Sequence, residues 1–464
     1  VFQPVAWVAL VCAVFCLFSV FDWNHGVIRA GLLLALAALA WCRRRVRQPS
    51  GAASTAWTTG VCVLVAIALI IHVEMGASWI ARSVEAGIVP SDQAQMVTAT
   101  IRVAGTGRNP WASDTDTDRV AHELAVEDLR SKPGCGAMPG VAALPAISPV
   151  AACAHTEVLF RSLGFKYGPA MLAFYWPFLA AFGPAGVLIS HQMLFLFTVA
   201  TLVVWAQAER GAAFWTALAL APFMLTPHVA TNVLDQGHLD LFPTLLCLIA
   251  FIAAGRRRYF LAACAIGIST AAKFLPGLAF VPILFAGPWQ ALALALAIPV
   301  VFLAPFAVND WTGLLRNLGY PFTRDPDSTA LIFSLSEPWA WVVRFMALAV
   351  VVGLLLRAQR RRWARGETLD WIVGAQLAIL AAGVTFHNNY LIWLLPYFGG
   401  LAITTNTLDT NGGFREAQDP QHDHRSRRVD VLHSITVDPK AVFGKVRAPA
   451  QLHLRSWRSL SDLR

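Results

Sequence analysis

The sequence predicts an all-α, polytopic integral membrane protein of about 12 transmembrane helices with a large extracytoplasmic loop. Of its 464 residues, 57% are hydrophobic and 14% charged, where an ordinary soluble domain carries about 25% charged. The apolar residues fall into runs of about 15 to 22, the length that crosses a bilayer core as helix. The net charge of +9, from 36 basic and 27 acidic residues, sits in short loops instead of along one face. That placement orients membrane helices and argues against nucleic acid as a partner.

Residues 5–21 and 27–42 form a helical hairpin joined by the polar turn Asp22 to Gly26. The loop Arg43-Arg44-Arg45-Val46-Arg47 follows and is cytoplasmic by the positive-inside rule, so residues 1–56 form an N-terminal hairpin with a basic inner loop. A third run, 57–75, leads outward, and the polar stretch 76–166 is then the extracytoplasmic loop. Basic loops at Arg210, Arg256-Arg257-Arg258 and Arg357 to Arg365 mark later inner turns. Parity holds if 167–182 is interfacial or re-entrant. The remaining spans are roughly 186–207, 212–231, 239–254, 259–272, 274–287, 289–308, 338–356, 371–386 and 391–405. The pair flanking Lys273 is short for about 30 Å of hydrocarbon, which predicts a broken, tilted hairpin. From 406 to 464 the chain turns polar and reads as a disordered cytoplasmic tail, its basic excess also suiting anionic lipid headgroups.

On this topology the chemistry-bearing residues gather at one membrane face. Asp92, followed by Gln93, reads either as a helix cap or as a general base just above the membrane. Lys273 interrupts an apolar stretch, where a cation must snorkel, face a polar cavity, or meet a phosphate or carboxylate. Read as a lone cation, its replacement by Met should leave insertion unchanged or improved. Pro276 kinks the chain beside it. His387-Asn388-Asn389-Tyr390 is either a plain Asn-Asn turn or a site in which His387 meets an anion or orients a hydroxyl. Asp235 and His238 flank Gln236-Gly237 at another outward helix end, as a satisfied polar turn or a substrate contact.

Other patterns fail for physical reasons. Asp114, Asp116 and Asp118 resemble a calcium loop, but Arg119 stands at the turn glycine and Ala125 at the bidentate glutamate. His122-Glu123 lacks the second histidine of a zinc protease, and no phosphate-binding glycine loop exists, so no metal site is expected. Of eight cysteines, six lie in or beside apolar runs. Cys135 and Cys153 fall in the outer loop, where an oxidising compartment permits a disulfide between them.

The order of motifs resembles a known family. An acidic residue opens the outer loop (Asp92), and Gly107-Arg108-Asn109-Pro110-Trp111 follows about 15 residues later. Tyr167-Gly168-Pro169 then enters the membrane, Gln236-Gly237-His238 stands in place of the usual Gly-Gln-x-Asn turn, and Lys273 to Pro276 and His387-Asn388-Asn389-Tyr390 complete the series. Residues 57–405 thereby resemble the polytopic glycosyltransferases of the GT-C class, especially the polyprenyl-phosphate-mannose-dependent mannosyltransferase-like proteins.

The resemblance implies an inverting hexosyltransferase in the plasma membrane, its active site on the extracytoplasmic side. It would move a sugar, mannose by the resemblance, from a polyprenyl-phosphate donor to a lipid or glycan acceptor, without a cofactor. A phosphate leaving group is already a weak base and needs no proton, so one base and some positive charge suffice. Asp92 would be the base, with His387 beside it in the catalytic set. Lys273 and Arg324 would bind the donor phosphate. Gln93, Asn109, Tyr167, Asp235, Gln236, His238, Asn388 and Tyr390 would line the substrate site. A secondary transporter or lipid flippase would also use Lys273 at a cavity, but would carry polar residues at inward helix ends, which here hold mainly basic loops. A non-catalytic membrane scaffold would not need Asp92.

Overall fold

The computed structural model describes residues 53–86, 92–111, 165–210, 213–226, 229–235, 237–323, 335–360 and 388–404, with isolated positions at 332 and between 372 and 383. The N-terminal hairpin, the loop with Cys135 and Cys153, Gln236, Arg324, His387 and the 406–464 tail lie outside the described residues.

Every described element is helical. In chain order they are α1 (Ala53–Ala86), α2 (Asp92–Gly105), α3 (Pro169–Phe182), α4 (Gly186–Arg210) and α5 (Ala213–Met224). A π-helical stretch, Val229–Asp235, leads to α6 (Leu241–Gly255), α7 (Tyr259–Ala272) and the single turn α8 (Phe274–Leu278). Then follow a 3-10 segment (Val281–Ala286), α9 (Trp289–Thr323), α10 (Glu337–Arg360), a second 3-10 segment (Asn388–Trp393) and α11 (Leu395–Thr404).

Among the described residues, three stretches are long and apolar enough to cross a membrane: Thr59–Glu85, Pro169–Glu209 and Trp289–Gly319. Shorter apolar helices pack among them, including α5, α6 and α7. At 1.5 Å per residue, a helix the length of α7 covers only about 21 Å, short of the hydrocarbon thickness. The expected 274–287 span is not one helix but α8 followed by the 3-10 segment. The expected 289–308 span instead runs on as α9 to Thr323, bent at Asp310, whose backbone leaves the helical region (φ −152°, ψ 92°). Asp310 Oδ1 accepts from Gly313 N at 2.9 Å and so caps the continuing helix.

The contacts follow residue size. α7, rich in Ala, Gly, Ser and Thr, lies between α6 and α9 and lets their backbones come close. Ser269 Oγ donates to Pro243 O at 3.1 Å, while Cys247 Sγ contacts Ser269 Oγ at 3.2 Å and Pro276 O at 3.6 Å. These contacts tie α6 to α7 and to the α8 turn. Apolar side chains such as Ile70, Val301 and Phe345 remain exposed on α1, α9 and α10, as lipid-facing positions do.

Candidate active site

Lys273 marks the break. α7 ends at Ala272, and Lys273 is extended (φ −145°, ψ 114°) before α8 begins with Pro276 inside it. The break turns the side chain toward α6. Its Nζ lies 2.5 Å from Asp240 Oδ1, with Lys273 13% exposed and Asp240 fully buried. Trp393 Nε1 donates to the same carboxylate oxygen at 2.6 Å. Three rings surround the ammonium, with centroids at 4.9 Å for Tyr390, 5.2 Å for Trp393 and 5.3 Å for Tyr167. A desolvated cation over such rings gains about 2 kcal/mol from the best of them.

Each wall of this box is set by its own local chemistry. Tyr167 is held by Gly168, whose N–H donates to Ala272 O at 2.9 Å. A Cβ at Gly168 would lie 1.9 Å from Ala271 O, so only glycine lets this strand-like segment reach the end of α7. The Asn109-Pro110-Trp111 turn buttresses the other side. Trp111 is buried against Phe165 and Phe306, and its Nε1 donates to Tyr167 O at 3.0 Å. Asn109 Oδ1 accepts from Trp111 N at 3.0 Å and its Nδ2 donates to Phe306 O at 3.4 Å, tying the turn to α9.

The first turn of α2 meets the same region. Gln93 Oε1 accepts from Leu239 N at 3.2 Å, which fixes the amide so that Nε2 donates to His238 Nδ1 at 3.1 Å. Gly237 has φ +70° and lets the chain turn from the π-helical stretch into residues 238–240. His238 N then donates to Asn232 O at 2.7 Å. Just beneath, Tyr175 OH and His191 Nε2 share a buried hydrogen bond of 2.9 Å.

Of the residues expected from sequence, Tyr167 and Tyr390 meet at Lys273, Asn109 joins them through Trp111, and Gln93 and His238 form a second pair that the chain Leu239–Asp240 ties to Lys273. Asp92 opens α2, one residue from Gln93; Asp235 closes the π-helical stretch; Asn388 opens the second 3-10 segment. Two contributors were not anticipated, Asp240 and Trp393. The signal for Asp240 was present: an acid in an apolar run is as costly as Lys273, and two such charges on adjacent spans tend to pair. Among the described residues, no group of three or more His, Cys, Asp or Glu is placed to hold a metal ion.

The stretch from Phe165 through Asp240 and Lys273 carries a family signature. Residues 165–383 match the model of glycosyltransferase family 87. No curated protein and no solved structure matches the chain. The family 87 match starts at the base of the Tyr167 wall, covers both members of the ion pair, and stops before Tyr390 and Trp393. The match supports a membrane glycosyltransferase family, and the described helices that are long and apolar enough to cross a membrane suit an integral membrane protein.

Proposed function

We propose that this protein transfers a sugar, mannose first among the candidates, from a polyprenyl-phosphate donor to a lipid or glycan acceptor at the extracytoplasmic face of the plasma membrane, with inversion. The observation that carries the reading is the buried Lys273–Asp240 pair in its aromatic box, joined through residues 238–240 to the first turn of α2 where Asp92 stands. A charged group at that depth within apolar helices serves an anionic or polar ligand better than it serves packing.

Asp92 takes the proton of the acceptor hydroxyl as that oxygen attacks the anomeric carbon from the face opposite the phosphate. The bond from the anomeric carbon to the phosphate oxygen breaks, and the electron pair stays on the phosphate. Lys273, with Arg324 and His387, stabilises that developing charge electrostatically. Tyr167 and Tyr390 orient the donor head; Gln93 and His238 order the turn nearest Asp92 and meet the sugar or acceptor together with Asn109, Asp235, Gln236 and Asn388. The polyprenyl tail gains affinity from apolar helix surface, with no nucleotide contact needed.

The test is reconstitution of the full chain in proteoliposomes with labelled polyprenyl-phosphate mannose and a membrane extract. Label should move into a lipid or glycan fraction. Asp92→Asn keeps size and capping capacity, so it should insert normally and lose transfer by a factor on the order of 10² to 10⁴. Activity within a few-fold of native would remove Asp92 from the mechanism, and transfer from nucleotide sugars alone would remove the lipid donor.

A further inference from the structure

We propose that Asp240 is an internal counter-anion that lets the spent lipid phosphate leave, a positioning residue acting through Lys273. The inference rests on the donor chemistry proposed above, and it begins from a conflict. A cation meant to receive a phosphate is already engaged by a buried carboxylate at 2.5 Å.

The conflict resolves when charge is followed through the reaction. The donor is a phosphodiester with one negative charge. Breaking the bond to the sugar leaves a phosphate monoester, which carries about −1.5 to −2 near neutral pH. The acceptor's proton goes to the base and not to this phosphate, so the product binds a free cation more strongly than the donor does. In a low-dielectric site the difference is large, because electrostatic attraction scales inversely with the dielectric constant. An unopposed lysine would make the enzyme its own product trap.

Asp240 counters this in two ways. Its carboxylate competes for the ammonium and, because repulsion grows with the phosphate's charge, opposes the dianion more than the monoanion. Trp393 Nε1 donates to the same carboxylate oxygen at 2.6 Å, a second tether that holds the carboxylate in place when phosphate arrives. Lys273 has three N–H donors, of which Asp240 takes one, and its side chain remains 13% exposed, with the ammonium within the rings of Tyr167, Tyr390 and Trp393. The site therefore offers oriented hydrogen bonds with little net charge. It accepts a monoanion without gripping a dianion.

The measurement is binding of polyprenyl phosphate and of its methyl ester, a phosphodiester lacking the second charge, to the purified full chain in lipid nanodiscs. Native protein should bind the two within about threefold of each other. In Asp240→Asn the preference for the unesterified phosphate should rise about tenfold, an electrostatic change of the size seen for single charge contacts. Asp240→Glu, which restores the charge, should return the preference toward native. A purely structural role would change the amount of folded protein but not this ratio.

Native protein that prefers the unesterified phosphate by more than tenfold would overturn the proposal without any variant, so it stays testable if Asp240→Asn fails to accumulate. An unchanged ratio in Asp240→Asn would overturn it as well. Native protein that binds neither lipid would overturn the lipid-phosphate reading and this inference with it. Levelled binding together with no sugar transfer would support the counter-anion and overturn only the catalytic reading.

Discussion

Lys273 and Asp240 are two lone charges in sequence and one neutral unit in space. That changes the expected outcome of Lys273→Met. As an isolated cation its removal should ease insertion, but with Asp240 fully buried at 2.5 Å the substitution strands a carboxylate. Breaking a buried pair from one side typically costs about 3 to 5 kcal/mol. Lys273→Met should therefore accumulate poorly and unfold at lower temperature in detergent, while Lys273→Met with Asp240→Asn recovers most of the stability and none of the transfer. Thermal unfolding of the two variants beside native protein decides it; a Lys273→Met protein as stable as native would mean that the pair does not form. Tyr167 and Tyr390 were legible as polar-aromatic residues at outward helix ends, and the box they build with Trp393 was not. Nothing in local spacing says that a ring at 393 and an acid at 240 share one oxygen.

At the scale of elements, close backbone approach does the positioning. Gly168→Ala forces a Cβ to within 1.9 Å of Ala271 O, on a segment already pinned by the Gly168 N–H bond to Ala272 O. Overpacking of this kind costs about 1 to 3 kcal/mol and shifts backbone. Gly168→Ala should lower the unfolding temperature and also weaken donor binding, because Tyr167 moves with its neighbour. Gly107→Ala is the contrast: φ is +79° but nothing lies within 4 Å of the added carbon. It should cost about 1 to 2 kcal/mol of local strain, with donor affinity kept. Equal losses of donor affinity in the two variants would contradict the positioning role of Gly168. The kink in α9 makes a second case. Asp310→Ala removes the cap on Gly313 N and should cost about 1 kcal/mol, measurable by the same unfolding assay, whereas Asp310→Ser should be close to neutral.

For the whole molecule the open quantity is orientation. The positive-inside rule predicts Arg256 to Arg258 in the cytoplasm and the Asn109-Pro110-Trp111 turn outside. In a background freed of native cysteines, Arg108→Cys should react with a membrane-impermeant thiol reagent added to intact cells, and Arg256→Cys should react only after the membrane is opened. Both positions are solvent-exposed, so access and not burial governs the result. Labelling of Arg256→Cys from outside would invert the topology and move the proposed site to the cytoplasmic face.

The sequence by itself determined the helical character with its membrane-length apolar runs and the break at Lys273 beside Pro276, while the expectation of glycosyltransferase chemistry came from the resemblance of its motif order to a family. The helical character and the break follow from quantities local in the chain: the length of an apolar run, the cost of a charge within it, the geometry of proline. Only the tertiary structure decided which acid answers Lys273. Asp235 and Asp240 are both near a helix end, and the π-helical stretch Val229–Asp235 followed by Gly237 at φ +70° rotates the chain between them. A π-helical turn carries more residues than an α-helical one, so the 3.6-residue period no longer reports which side chain faces inward. The fold turns Asp240 inward, against Lys273 and Trp393, because that is where a buried carboxylate finds two donors.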